Sequence, residues 1–172
     1  PTKAWLKIPE LFDAVINKEV KAVWIIGEDV VQTDPNSAHV AKAMNSLDLL
    51  VVQEIFMSET EKHADVVLPG TTFLEKDGTF TNTERRVQRV NRAAKPLPGT
   101  KPDGVIVTDM MQKLGYNQPT YDADQVLAEI ADVVPFFKGI TRERLGKLGL
   151  QWPVKEDGTD TKILHQKEFK LG

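Results

Sequence analysis

Three short groups of residues carry the chemistry to hold a polar ligand: Gly27-Glu28-Asp29, Gln53-Glu54 and Pro69-Gly70, each placed just after a short apolar run. A carboxylate such as Glu54 accepts hydrogen bonds from ribose hydroxyls or from the adjacent N–H donors of a guanine edge, and it would equally serve to cap the turn that follows it. Gly27 lets a ligand approach the main chain closely, although one glycine falls short of the G-x-G-x-x-G pattern that cradles a pyrophosphate. Lys76, ahead of Asp77-Gly78, sits at a turn from which its ammonium reaches a phosphate or carbonyl, or stays in solvent. Arg85, Arg86, Arg89, Arg92, Lys95 and Lys101 form a basic run with no acidic residue among them. Such a run neutralises a pyrophosphate, binds RNA, or faces solvent or a partner subunit, and a solvated face is the commonest reason for one. Phe80 is the sole aromatic residue from Phe80 to Lys101, so bases have little to stack on, and the formal net charge of -3 further argues against a dedicated nucleic-acid binder.

Other chemistry is excluded or unsupported. With no Cys, the chain has no disulfide framework, no thiolate nucleophile, no Cys-ligated iron–sulfur cluster and no Cys-based zinc site of its own. His39, His63 and His165 lack metal-ligand spacing, and no Ser/His/Asp set emerges. Neither a catalytic residue nor a metal ligand is therefore expected here. No apolar run approaches the roughly 20 residues of a spanning helix, and no signal-peptide pattern is evident, so the default location is cytoplasmic. The sequence opens at Pro1 without Met and enters a helical pattern almost at once, which suggests a domain excised from a longer protein.

The elements that must position these groups follow from periodicity. Ile8, Leu11, Phe12, Val15 and Ile16 share one face of a helix over residues 9–18, with Pro9 in the first turn. Ala22–Ile26, Leu49–Val52 and Val66–Leu68 are continuous apolar runs of the kind found in strands buried on both faces of a parallel sheet. Between the first two, Asp34-Pro35 begins a crossover helix whose buried face is Val40, Ala43, Met44 and Leu47; Thr60–Ala64 forms a short helix before the third. Residues 70–101 show Gly and Pro clusters and no sustained period, predicting a long ordered loop with one extended piece at Val87–Val90. Helices follow at Val105–Leu114, from Asp122 or Asp124 to Val134, and at Thr141–Leu148. Trp5, Trp24 and Trp152 are expected to be packing residues. The sum is an α/β fold, a parallel sheet flanked by helices with a long ordered loop and a helical C-terminal part, in a domain over residues 1–154 and an irregular tail over 155–172. Ligands of open α/β sheets bind beyond the carboxyl ends of the strands, where the three polar groups sit.

The order and spacing of several motifs carry a resemblance. They are Gly27-Glu28-Asp29, then Val51-Val52-Gln53-Glu54-Ile55-Phe56, then Glu59-Thr60 with Ala64 to Pro69, and then Glu75-Lys76-Asp77-Gly78-Thr79-Phe80-Thr81-Asn82-Thr83-Glu84-Arg85-Arg86-Val87-Gln88. The chain resembles the large, molybdopterin-containing subunit of the molybdopterin oxidoreductase superfamily, over about Ile8 to Pro153. Pro135–Thr141 and Gly149–Pro153 tilt the likeness toward formate dehydrogenase, with nitrate reductase and the structural large subunit of complex I as alternatives; a stand-alone nucleotide-binding module is a third reading.

The resemblance implies a Rossmann-like domain that grips the guanosine part of a molybdopterin guanine dinucleotide. It implies a parent enzyme that holds molybdenum or tungsten and oxidises formate to carbon dioxide, with electrons leaving through an iron–sulfur cluster. The metal-ligand and cluster residues lie outside the matched region, so this chain alone is expected to be inactive, and its expected partners are the remaining domains of the parent subunit and electron-transfer subunits. Carried over by motif, the cofactor-binding positions are Gly27 and Asp29, Gln53 and Glu54, and Lys76 and Asp103, with Ser58 and Asp65 as further candidates. Three positions depart from the family pattern: Val30 stands where Pro is common, Glu54 where Asp is usual, and Gly104 where Trp is usual. The longer Glu54 side chain bears on the guanosine contact, and Gly104 removes an apolar anchor from the helix that follows.

Overall fold

A computed structural model describes residues 5–155 and 157–165. The chain gathers into two compact units: one runs up to Thr71 and includes Leu97–Asp103, the other holds Thr72–Pro96 and Gly104 onward.

The first unit is a parallel sheet with helices on one face. Helix α1 (Ile8–Ile16) places Pro9 in its first turn, where the missing N–H leaves no intrahelical bond unmade, and buries Phe12, Ala14 and Val15. Strand β1 (Ala22–Ile26) leads into the one-turn helix α2 (Val30–Thr33) and helix α3 (Ser37–Met44). Strand β2 (Leu49–Glu54), a 3-10 turn at Thr60–His63 and strand β3 (Val66–Pro69) complete the unit's regular elements. The strands lie in the order β1-β2-β3, all parallel, with Ile25 beside Val52 and Val52 beside Val67. Ile25, Leu50 and Val52 meet Phe12 and Val15 of α1 and Val40, Ala43 and Met44 of α3 in one core. The cap of α3 is Asn36, whose side chain accepts from the His39 amide at 3.3 Å, and not Asp34-Pro35. Asp34 instead follows α2, its carboxylate accepting from the Asn36 amide at 2.8 Å. Burial on both faces is also not what the strands show: Ile26 is 48% exposed, Leu49 43% and Val66 43%.

In the second unit the expected loop carries a hairpin. Strand β4 (Gly78–Thr81) pairs antiparallel with strand β5 (Arg86–Val90), and the late strand β6 (Leu150–Gln151) pairs antiparallel with β5. The turn uses Asn82, whose side chain accepts from the amides of Glu84 and Arg86 at 3.1 and 2.9 Å, and Arg85, which takes φ 67°. A left-handed arginine is no turn signal in sequence, which is why the hairpin is hard to foresee. Helix α4 (Asp103–Lys113) starts from the last residue of the first unit. Helix α5 (Ala123–Val133) is capped by Asp122, which accepts from the Asp124 and Gln125 amides at 2.9 and 3.0 Å, and helix α6 (Arg142–Leu145) follows. Val87, Leu127, Ile140 and Leu145 form the core. Gly149 is obligatory where β6 closes on β5: at φ 75°, any Cβ there would lie 2.2 Å from the Val87 carbonyl oxygen.

Gly104 does not leave the gap that its departure from the family pattern predicts. The ring of Tyr121 fills the space, for a Cβ on Gly104 would fall 2.1 Å from Tyr121 Cε2 and 2.4 Å from Cζ. An aromatic anchor is supplied from another position.

Candidate functional site

The first unit brings the strand exits side by side. The Gly27 amide donates to the Gln53 carbonyl at 2.9 Å and the Gly70 amide to the Glu54 carbonyl at 3.0 Å, so the ends of β1, β2 and β3 form one rim. The Lys101 amide donates to the Pro69 carbonyl at 3.2 Å, which carries the chain back along β3 and delivers Asp103 to the same rim. There the Gln53 side-chain nitrogen donates to Asp103 Oδ1 at 2.9 Å. Gly70 makes room for this pair, since a Cβ at that position would stand 3.1 Å from Asp103 Oδ1. Gly27, at φ 66°, has nothing within 4 Å of where a Cβ would be, which leaves the first exit open.

The pair has a chemical sense. With its nitrogen bonded to Asp103, the Gln53 amide presents its oxygen elsewhere, and that oxygen is buried without a hydrogen-bond partner, as is the Thr71 hydroxyl. Buried polar atoms are nearly always bonded, so an unmade acceptor at the strand ends fits a ligand that brings a donor. Half-buried Glu54 adds a carboxylate whose Oε1 accepts from the Ile55 amide at 2.6 Å, the local turn contact that the sequence leaves open as its alternative role.

The other candidates have contacts of their own. Asp29 accepts from the Thr60 amide at 3.1 Å, the Thr60 hydroxyl at 2.6 Å and the Glu59 amide at 3.4 Å. Burial alone would push the Asp29 carboxyl up, but the Thr60 hydroxyl, the Glu59 and Thr60 amides and the Ser58 hydroxyl hold it below the ordinary value of 3.8. Ser58 donates from its amide, at 2.7 Å, and from its hydroxyl to Glu61 Oε2. Asp65 accepts from the Leu50 amide at 2.7 Å and so belongs to the amino end of the sheet, roughly 13 Å along the strand from Glu54 at about 3.3 Å per residue. Lys76 is in the second unit. Thr60, fully buried, is part of a motif visible in sequence, but its contacts are not: its hydroxyl bonds Asp29, 31 residues away, and accepts from the Val31 amide at 3.1 Å.

Much of the basic run is also committed. Arg85 donates to the carbonyls of Trp152, Thr161 (3.0 Å) and Lys162 (3.2 Å), with its guanidinium 5.5 Å from the centre of the Trp152 ring. Arg86 pairs with Glu84 at 2.7 Å and reaches Asp160 at 3.8 Å. These two arginines fasten the second unit internally. Among the described residues no group of three or more acidic or imidazole side chains could hold a metal ion, and no helix is long and apolar enough to cross a membrane.

Comparison with known proteins gives the lineage. A family model for molybdopterin oxidoreductase matches residues 5–113, more than half of the chain. The F420-dependent formate dehydrogenase subunit alpha of Methanocaldococcus jannaschii is 46% identical over 95% of this chain and 25% of its own. The F420-dependent formate dehydrogenase 1 subunit alpha of Methanococcus maripaludis is 45% identical over 93% of this chain and 24% of its own. A putative formate dehydrogenase of Staphylococcus aureus is 44% identical over 94% of this chain and 17% of its own. The chain thus spans a quarter or less of these relatives. Acetylene hydratase from Pelobacter acetylenicus shares the fold, with a TM-score of 0.58 at 23% identity over 62% of this chain and 15% of that one. The parallel sheet, its strand exits and the family match agree: the chain belongs to the molybdopterin oxidoreductase family.

Proposed function

We propose that this chain is the cofactor-holding part of a formate dehydrogenase catalytic subunit, and that the rim of its first unit holds the guanosine part of a molybdopterin guanine dinucleotide. The observation that carries the reading is the Gln53–Asp103 pair at the end of β2, which Gly70 makes room for, with Glu54 next along the strand and Gly27 at the neighbouring exit. Acceptor groups dominate that rim, and guanine N–H groups and ribose hydroxyls are the donors they would take. The unpartnered Gln53 oxygen fits such a group. Gln53, Glu54 and Asp103 would hold and orient it, Gly27 would allow close main-chain approach, and Asp29 would shape the rim without touching the ligand.

The bound cofactor, with molybdenum or tungsten, would supply the two-electron oxidation of formate to carbon dioxide. With no Cys in the chain, ligands for an iron–sulfur cluster would come from other parts of the subunit. Those parts and electron-transfer subunits are the partners of this reading.

Glu54→Ala in the complete subunit is expected to lower molybdopterin content while this chain carrying the same change stays folded. Normal molybdopterin content in a folded Glu54→Ala enzyme overturns the reading. Titration of the chain with GMP, followed by amide shifts, is expected to move Gly27, Gln53 and Ile55 first.

A further inference from the structure

The segment that leaves β2 shows three consecutive large apolar side chains to solvent: Ile55 is 42% exposed, Phe56 73% and Met57 72%. A loose segment would account for that, but this one is fastened at both ends. The Ile55 amide donates to Glu54 Oε1 at 2.6 Å, the Ser58 amide to Glu61 Oε2 at 2.7 Å, and the Glu59 and Thr60 amides to the two oxygens of Asp29 at 3.4 and 3.1 Å. Glu61, one of these three carboxylates, is itself buried. A run of exposed apolar residues on a fixed loop is costly in water and marks a place where something binds.

The surroundings indicate what binds. Ile55 stands beside the Gln53–Asp103 pair: the point where a Cβ on Gly70 would lie is 3.6 Å from Ile55 Cγ2 and 3.1 Å from Asp103 Oδ1. Half-buried Glu54, an acceptor of the same rim, immediately precedes the run. Acceptors suited to a polar edge therefore adjoin an apolar surface suited to a flat face. A nucleobase has both, with N–H groups around its edge and two faces that stack on aromatic side chains. A sugar phosphate has no such face. We infer that Phe56, flanked by Ile55 and Met57, is a shelf on which the purine ring of the ligand stacks while Glu54 takes its edge. The inference deepens the guanosine reading above and rests on it.

Titration of the chain with GMP, and in parallel with ribose phosphate, separates ring from sugar. With isotope-labelled methyl groups, the Ile55 and Met57 methyls are expected to shift under GMP and to stay in place under ribose phosphate. Phe56→Ala is expected to weaken GMP binding at least about fivefold, whereas Phe56→Tyr, which keeps the ring, binds as the parent chain does. Phe56 lies outside the core, so both variants are expected to keep the amide spectrum of β1–β3. Unchanged GMP affinity in Phe56→Ala overturns the shelf. So do Gly27 and Gln53 amides that shift under GMP while the Ile55 and Met57 methyls stay still, and the guanosine reading survives either result. Absence of any shift at the rim under GMP overturns that reading and the shelf with it.

Discussion

Among the described residues, the first unit gathers nine buried apolar side chains into one cluster, from two helices and two strands as well as α2. The second gathers four, and adds a polar fastening: Arg85 on three carbonyls and one indole ring, Gln151 donating to the Glu84 carbonyl at 3.0 Å, and Arg86 between Glu84 and Asp160. The difference teaches that the two units fail in different ways. An apolar cluster weakens in proportion to volume removed and barely responds to small changes of geometry at its edge. A charged fork aimed at main-chain carbonyls depends on direction, so a substitution that keeps the charge but loses the fork fails as well.

The sharpest way to break this comparison is to exchange the expected losses. Leu50→Ala in the first core is expected to destabilise that unit by about 2–5 kcal/mol, measured by urea titration with amide exchange of β1–β3 as the readout. Arg85→Ala is expected to remove about 2–3 kcal/mol from the second unit, since charge-assisted bonds and an arginine–indole contact are lost together. Arg85→Lys should recover little of it. Full recovery by lysine would show that charge alone holds the segment around Thr161.

Gly104→Ala is expected to cost about 1–3 kcal/mol through overpacking against Tyr121, and Gly104→Trp more. Combined with Tyr121→Ala, Gly104→Trp is expected to return most of the loss, because the indole then occupies the space the phenol leaves. Additive losses in the double variant would refute the idea that the two positions share one aromatic anchor.

The smallest effect concerns acid. Asp29 has a folded-state pKa below its ordinary value, so its contribution is present above about pH 4 and disappears as pH falls through the folded pKa. Asp29→Asn is expected to lose about 1 kcal/mol at neutral pH and to show a shallower decline than the parent chain as pH falls below about 4. Identical acid slopes would show that Asp29 is not held by Thr60 in solution.

How much of this was legible in the sequence depended on distance along the chain. The three strands of the first unit stand out because each is a continuous apolar run closed by glycine, a polar pair or proline, which also marks their exits. Helix α2 did not, since four residues are too few to show a period. The hairpin was hidden by Arg85, whose left-handed backbone no residue-type rule anticipates. The Arg85 fastening joins residues 67 to 77 positions apart, and the Asp29–Thr60 contact spans 31, so neither leaves a local pattern. Site chemistry was partly legible for the same reason: Gln53 and Glu54 close a strand whose apolar run is visible, whereas the Gln53–Asp103 bond bridges 50 residues and required the fold.

The Asp29–Thr60 contact has a consequence for motion. Three donors from Glu59 and Thr60 converge on one carboxylate after β1, and the Thr60 hydroxyl in turn receives the Val31 amide. The segments that leave the first and second strands are thereby cross-braced. The ligand proposed for this rim would meet a wall set before it comes, with little ordering of these segments left to oppose binding. Its capture would proceed at the pace of encounter and desolvation, with no slow closing step in these two segments.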